Sequence, residues 1–348
     1  MTSPEQRTAV GAKPGSLGAA LVVLTLALAG CQKSIPLPQV KSVSGAEPEL
    51  IERGRYLAEN VGVCMSCHTP RDFSYFSGLP LRERLGEGAD VGMVFGYWPP
   101  RISMWAPNLT PTHLGDWSDA ELQRAFVSGL GRDGHSLMLA MPYDQYNALS
   151  VDDARAIIAY LRALPPLPGT GPARKLPFPL EPFIVNLMPL EPHLVERAPP
   201  PEDKVGTGKY LAAIAGCLWC HSPMTKFDQV VKGKEWAGGH EFPRPTAGAE
   251  LASLVRGPGI IRTPNISMDA RTGIGTWTRE LFIARFRDTN RGALEQLSKP
   301  GPKDMNTVMP WAAYAGMTEE DLGAIWDYLA TFPPQDNVVN RFEPDAQK

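Results

Sequence analysis

Two short motifs in this 348-residue chain combine the residue types that attach a porphyrin to a protein. Residues 64–68 read C-M-S-C-H and residues 217–221 read C-L-W-C-H, and C-x-x-C-H is the attachment signature of c-type haem. Cysteines three positions apart share one face of a helical turn, so both thiols can form thioethers with one porphyrin. The histidine that follows then lies under the iron as its proximal ligand. The motifs predict two covalently bound haem c groups, attached at Cys64, Cys67, Cys217 and Cys220 and ligated by His68 and His221.

Two other kinds of site also use closely spaced cysteines. A lone C-x-x-C is compatible with a redox dithiol or with half of a zinc site. Here both copies end in histidine, and both are followed by a methionine in a similar sequence setting. The repetition of the whole constellation favours haem over both alternatives.

A methionine downstream of each motif is the candidate for the sixth iron ligand. Met141 and Met309 are each followed by proline and occupy matching places in the two halves of the chain. Thioether sulfur is a soft ligand that raises the potential of haem iron. The other methionines near them, Met138, Met305 and Met317, have no counterpart at the matching place. His135, near Met141, is the alternative ligand, whereas His113, His193 and His240 are interpreted as solvated loop residues.

The two halves of the chain read as a repeat. G-R-Y-L-A at 54–58 and G-K-Y-L-A at 208–212 precede the motifs, and A-P-N-L-T at 106–110 matches T-P-N-I-S at 263–267. From Met141 and Met309 onward the halves align without a gap, so that Tyr146 pairs with Tyr314. Self-similarity in this order predicts a duplicated domain and strengthens each motif.

The first thirty residues have the pattern of a secretory signal. A basic start is followed by an apolar run over 17–30, too short for the roughly 20 residues that cross a bilayer. The run ends in L-A-G-C, which resembles the lipobox of bacterial lipoproteins, so Cys31 is the candidate lipid-bearing residue. The alternatives are a retained membrane helix and an ordinary secreted protein. The lipoprotein reading predicts a location in the bacterial cell envelope, anchored to a membrane and facing the periplasm.

Composition and patterning set the domain limits. The formal net charge is −3 with no basic block, so we expect no nucleic-acid partner. Capped, amphipathic segments predict helices, notably after Ser118, Ser150, Thr278 and Thr318, whereas strand signals are weak. The predicted organisation is a signal peptide at 1–30, a polar tether at 31–46, a haem domain at 47–164, a proline-rich linker at 165–202, a second haem domain at 203–334 and a tail at 335–348.

These motifs together resemble a known family. A-P-N-L-T-P at 106–111, G-D-W-S-D at 115–119 and M-P-Y at 141–143 are similar to the cytochrome c subunits of membrane-bound bacterial alcohol, aldehyde and gluconate dehydrogenases, and A-G-G-H-E-F at 237–242 with G-I-G-T-W at 273–277 extends the likeness. The resemblance covers about 47–164 and 203–334. It implies an all-α fold of two tandem class I cytochrome c domains with His/Met ligation. Those subunits usually carry three haems, whereas this chain has two motifs.

The resulting hypothesis is an electron carrier, or the electron-transfer subunit of a dehydrogenase. Its expected partners are a dehydrogenase as donor, an oxidase or another cytochrome as acceptor, and the membrane through the lipid. The leading alternative is a di-haem peroxidase-like enzyme, which needs one haem with an open face. A redox or gas sensor is a third hypothesis, although no signalling domain is visible in the sequence.

Overall fold

A computed structural model describes most of the chain: residues 35–91, 105–138, 140–169, 171–172, 189–225, 229–242, 259–301 and 304–344. The leader, Cys31 and most of the proline-rich linker therefore lie outside the described residues. None of the helices within these ranges is long and apolar enough to cross a membrane.

Short helices and still shorter strands make up residues 47–164, called the first half here. The helices are α1 Pro48–Tyr56, which continues as a π-helical turn over Leu57–Val61, α2 Cys64–Cys67, α3 Pro111–Leu114, α4 Asp119–Ser128, α5 Tyr143–Tyr146 and α6 Val151–Ala163, with a 3-10 turn at Arg82–Arg84. The strands are β1 Arg71–Asp72, β2 Leu79–Pro80, β3 Ala89–Asp90 and β4 Trp105–Ala106. They pair as two antiparallel ladders, β1 with β2 and β3 with β4.

Residues 203–344, the second half, follow a similar order. The helices are α7 Lys204–Ile214, α8 Cys217–Cys220, α9 Arg279–Arg287, α10 Arg291–Gln296, α11 Trp311–Tyr314 and α12 Glu319–Leu329, and the strands are β5 Glu241–Phe242, β6 Gly259–Arg262 and β7 Phe342–Pro344. The three strands form one antiparallel sheet with β6 in the middle.

Local capping fixes where the longer helices begin, as the sequence predicts. Ser118 and Glu121 form a complete capping box at the start of α4. The Thr278 hydroxyl accepts the Leu281 amide at the start of α9, and Ser150 and Thr318 cap α6 and α12 through the amides of Asp153 and Asp321. Each cap satisfies an amide that has no partner inside its helix. The predicted helices at these positions are confirmed.

The prediction of an all-α fold is wrong. Seven strands are present in the described residues, and each is only two to four residues long. Strands this short do not produce the alternation of apolar and polar residues by which a strand is recognised in sequence. Two of them, β4 and β6, end just before Pro107 and Pro264.

A glycine in each half allows two helices to cross closely. A Cβ atom at Gly54 would lie 1.9 Å from the carbonyl oxygen of Ala156, and one at Gly208 would lie 1.9 Å from that of Ala324. Any larger residue would therefore separate α1 from α6, or α7 from α12. The haem motifs follow α1 and α7 in sequence. The close helix packing therefore positions each motif beside the rest of its half.

Hydrogen bonds exchanged between the halves join them. Tyr56 on α1 donates to the carboxylate of Asp321 (2.5 Å) and accepts from the amide of Thr318 (3.2 Å). In the other direction, Tyr210 on α7 donates to Asp153 (2.7 Å) and accepts from the amide of Ser150 (2.9 Å). Each tyrosine thus binds the first turn of the last long helix in the opposite half, and one apolar cluster runs through both halves.

Replacing Gly54 by alanine tests the close helix crossing. We expect Gly54→Ala to lower the unfolding free energy of the haem-loaded protein by about 1–3 kcal/mol, the usual cost of overpacking. Denaturant unfolding measures this loss. Gly292→Ala on α10 is the matched control, because a Cβ there meets its nearest atom at an ordinary 3.4 Å. Equal stability of the two variants would contradict the packing argument.

Candidate haem sites

Both haem motifs form a single helical turn that starts in the same unusual backbone conformation. Val63 precedes α2 with φ 47°, and Gly216 precedes α8 with φ 67°. A left-handed φ is rare for a β-branched residue such as valine. The amides of His68 and His221 each donate to the carbonyl oxygen of the first cysteine of their motif at 2.9 Å. The turn therefore places both thiols of a motif on one side, with the histidine directly after them.

Burial disfavours the thiolate form of the four motif cysteines. Burial raises the pKa of the Cys64, Cys217 and Cys220 thiols to about 12, and it raises the pKa of Cys67 as well. Reactive dithiols instead need a lowered pKa to expose a thiolate. All four cysteines are free of disulfide bonds. Among the described residues, no group of three or more His, Cys, Asp or Glu side chains is arranged to hold a metal ion.

Each motif histidine has one ring nitrogen occupied and the other available. Nδ1 of His68 donates to the carbonyl oxygen of Pro107 at 2.7 Å, and Nδ1 of His221 donates to that of Pro264 at 3.0 Å. A carbonyl only accepts, so the proton sits on Nδ1 and Nε2 carries the lone pair. The hydrogen bond from Nδ1 to the proline carbonyl fixes the tautomer and the ring orientation, as such bonds do for histidines that ligate metals.

Burial keeps both imidazoles neutral. It lowers the pKa of His68 to about 4, although the bond to Pro107 opposes part of the shift. It also lowers the pKa of His221, and the nearby charges of Arg341 and His240 add to the effect. A neutral imidazole is the form that ligates iron. At neutral pH both histidines are therefore ready to bind a metal through Nε2.

The paired Pro-Asn motif explains how the acceptor carbonyls are held. The Asn108 amide donates to the carbonyls of Leu167 and Gly169, both at 3.0 Å, and its oxygen accepts the Thr110 amide at 2.7 Å. Asn265 makes the same kind of contacts, donating to Gln335 at 2.6 Å and accepting from Ser267 at 2.9 Å. The asparagine thus ties the proline loop to the segment that follows the last helix. Sequence comparison of the halves identified this motif but not its role.

Met141 and Met309 lie in matching loops that lead into α5 and α11. The amide of Tyr143 donates to the Met141 carbonyl at 2.8 Å, and the amide of Trp311 donates to the Met309 carbonyl at 2.9 Å. Both side chains pack against the apolar cluster. Ser77 of the first half also donates to the Met309 carbonyl at 2.5 Å. The assignment of these methionines as ligands stays a prediction.

The other histidines differ from one another in the structure. His113 and His193 are exposed, as predicted, and the partly exposed His135 ring bonds to Asp133. His240 is buried, so its interpretation as a solvated residue is wrong. Its ring packs on Trp219, within the second motif, at 4.4 Å between centroids, and on Phe242 at 5.0 Å. His240 directly precedes β5, and the pairing of β5 with β6 places its ring beside Trp219 and Phe242. No local sequence pattern indicates that pairing.

Arg71 is a residue of the first site that sequence reasoning missed. It lines a cavity of about 220 Å³ together with Cys67, Phe73 and Trp105. Its guanidinium donates to the Gly78 carbonyl at 3.0 Å and lies 4.8 Å from the Phe73 ring centroid. Burial lowers its pKa to about 10. A partly buried cation at a cavity wall suits a ligand that carries carboxylates, as haem does.

The residues at both motifs fit a covalently attached haem. Each offers two thiols on one helical turn, a neutral histidine with a free Nε2, and apolar surroundings. The second set consists of Cys217, Cys220 and His221, with Met309 in the loop that matches Met141.

Comparison with known proteins points to cytochromes. The chain is 26% identical over 300 residues to the cytochrome c subunit of alcohol dehydrogenase (quinone) from Gluconacetobacter polyoxogenes, covering 83% of this chain and 57% of that subunit. It is 26% identical over 327 residues to the gluconate 2-dehydrogenase cytochrome c subunit of Pantoea cypripedii, covering 87% and 64%. A diheme cytochrome c-type protein of Cereibacter sphaeroides is 36% identical over 116 residues, 33% of this chain and 35% of that protein.

The chain resembles dehydrogenase cytochrome c subunits. The likeness predicted from the motifs is confirmed over most of the chain. No family model matches the sequence. The chain spans about three fifths of the length of these subunits.

Removing an asparagine side chain tests how the proline loop is held. We expect Asn265→Ala to lower the unfolding free energy of the haem-loaded protein by about 1–3 kcal/mol, because the buried Asn265 side chain loses its hydrogen bonds to the Gln335 carbonyl and the Ser267 amide. Denaturant unfolding followed in the haem absorption bands measures the effect. The exposed Asn340→Ala is the control and should change stability by less than about 0.5 kcal/mol. A loss no greater than that of the control would contradict the anchoring role.

Proposed function

We propose that the protein is an electron-transfer cytochrome with two haem c groups, one attached at each C-x-x-C-H motif. The observation that carries the proposal is the buried, neutral histidine of each motif, held by a proline carbonyl with Nε2 left free. When bound, haem supplies reversible one-electron Fe(III)/Fe(II) chemistry. The chain contributes the thioether anchors, the proximal imidazole and the surroundings that exclude water.

The distal ligands decide between a carrier and a catalyst. In the proposal, Met141 and Met309 close the second face of each iron and raise its potential. The matching backbone geometry of their two loops supports this role. With both faces closed, neither iron has a position open for substrate, so the protein carries electrons and performs no other reaction.

We propose that the two halves arose by duplication of one haem domain. The Pro-Asn anchors, the histidine bonds, the close glycines and the tyrosines exchanged between the halves all occur twice at matching positions. The domain limits of 47–164 and 203–334 follow from this duplication.

The proposed donor is a dehydrogenase, and the proposed acceptor is an oxidase or another cytochrome. Relatives named as cytochrome subunits of alcohol and gluconate dehydrogenases support the donor. We propose no nucleic-acid partner, because the formal net charge is −3. We further propose that a lipid on Cys31 anchors the protein in the bacterial envelope, with the haem domains in the periplasm. The apolar leader that ends in L-A-G-C supports this location.

Replacing Met309 by alanine tests the ligand assignment. Loss of the thioether should open one iron, lower its midpoint potential and produce a high-spin ferric signal, while both haems stay attached. Optical and EPR spectra during a redox titration measure all three changes. Met305→Ala is the control, because Met305 is close in sequence but has no counterpart in the first half. Unchanged ligation in Met309→Ala would refute the assignment, and Met141→Ala with Met138→Ala repeats the test at the first haem.

Replacing Cys31 by alanine tests the anchor. Without a thiol to acylate, the protein should move from the membrane fraction to the soluble fraction after cell breakage, since a lipid anchor adds about 0.8 kcal/mol per buried methylene. Immunodetection in the two fractions, with absorption spectra to confirm haem attachment, measures the change. A Cys31→Ala protein that stays with the membrane would refute the lipid anchor.

A further inference from the structure

Two tyrosines lie where the haem motifs of the two halves approach each other. Tyr146 ends α5, shortly after Met141, and Tyr314 ends α11, shortly after Met309. Both side chains are almost completely buried, with 5% and 8% of their surface exposed. The Tyr146 hydroxyl donates to the Gly62 carbonyl at 2.5 Å, and the Tyr314 hydroxyl donates to the Ala215 carbonyl at 2.6 Å. Each hydroxyl therefore binds the residue two positions before the first cysteine of its own motif.

Both tyrosines also stand at the boundary with the other half. The carbonyl oxygen of Ala313, the residue before Tyr314, accepts a hydrogen bond from the side-chain amide of Asn60 at 3.0 Å. Asn60 lies four positions before Cys64. In the opposite direction, a Cβ atom at Gly216, directly before Cys217, would lie 2.5 Å from Oε1 of Gln145, directly before Tyr146. The residues directly before the two tyrosines thus contact the segment that leads into the motif of the other half.

The space around Gly62 shows how tightly the boundary is packed. A Cβ atom there would lie 3.4 Å from the Tyr146 ring and 3.6 Å from Ile214 of the second half. The apolar cluster that contains both tyrosines includes Val61 and Ile214 as well. The tyrosines therefore lie in an apolar, closely packed layer between the two attachment motifs.

The surroundings keep both phenols uncharged. Burial raises the pKa of Tyr146 and of Tyr314 well above the usual value. Both side chains therefore stay neutral in the apolar layer that they occupy.

We propose that Tyr146 and Tyr314 form an aromatic bridge between the two haem attachment motifs, a path of two rings through which the two haems would exchange electrons. The inference rests on the proposed two-haem function and specifies the route between the centres. One electron crosses the boundary, from a ferrous to a ferric centre. No bond forms or breaks, no proton moves, and neither tyrosine is oxidised.

The test compares electron exchange between the haems in variants of the full-length haem-loaded protein. After pulse reduction, the concentration-independent redistribution of the electron is followed in the haem absorption bands. The Tyr146→Leu, Tyr314→Leu double variant should slow this phase at least about tenfold, equivalent to about 1.4 kcal/mol of barrier. Tyr146→Phe and Tyr314→Phe keep the rings and should keep the wild-type rate.

A second readout separates coupling from a merely structural role. The magnetic interaction between the two ferric haems, measured by EPR, reports their separation and should stay unchanged in the leucine variants. Tyr328→Leu removes a partly buried aromatic ring of the second half that packs on Trp236 and Phe332. This control should lose stability without slowing the exchange.

The outcomes distinguish this inference from the proposed function. Two attached low-spin haems that exchange electrons at the wild-type rate in the double leucine variant would overturn the bridge alone. If the double variant fails to bind haem, the single leucine variants decide, and wild-type exchange in both would overturn the bridge. Wild-type protein with fewer than two attached haems would overturn both the function and the bridge.

Discussion

One hydrogen bond in each half, from the motif histidine to a proline carbonyl, sets the requirements for the rest of the structure. It fixes the tautomer of a buried neutral imidazole and directs Nε2 away from the carbonyl. The short strands β4 and β6 end just before the acceptor prolines, and Asn108 and Asn265 anchor the residues directly after those prolines. The close helix crossings at Gly54 and Gly208 position the haem motifs that face these prolines. Much of each half serves to place one carbonyl.

The boundary between the halves is as specific as the sites themselves. Tyr56 and Tyr210 each bind the first turn of a helix in the opposite half, using a carboxylate and a capping residue that the helix already needs. The Ser77 contact to the Met309 carbonyl links the first half to the loop before α11 in the second. Hydrogen bonds and a shared apolar cluster therefore fix the relative position of the motifs.

The features that could be predicted from the sequence are those that depend on residues close together in the chain. Helix starts at Ser118, Ser150 and Thr318 are encoded within one turn and could be predicted directly. The candidate haem attachment motif is equally local, because it consists of five consecutive residues, and haem attachment there stays a prediction. Strands of two residues, the burial of His240, the cavity at Arg71 and the pairing of Tyr56 with Asp321 depend on residues distant in sequence. No local pattern encodes those contacts. The alignment of Tyr146 with Tyr314 was visible, but their place between the motifs required the structure.

The central claim is that two haems are covalently attached and that each iron is closed on both sides. A redox titration of the purified protein with optical and EPR detection tests it most directly, because it counts the centres and reports their spin state together. The account predicts two low-spin centres, each titrating as one electron. A single centre, or a high-spin ferric centre that readily binds cyanide, would contradict it.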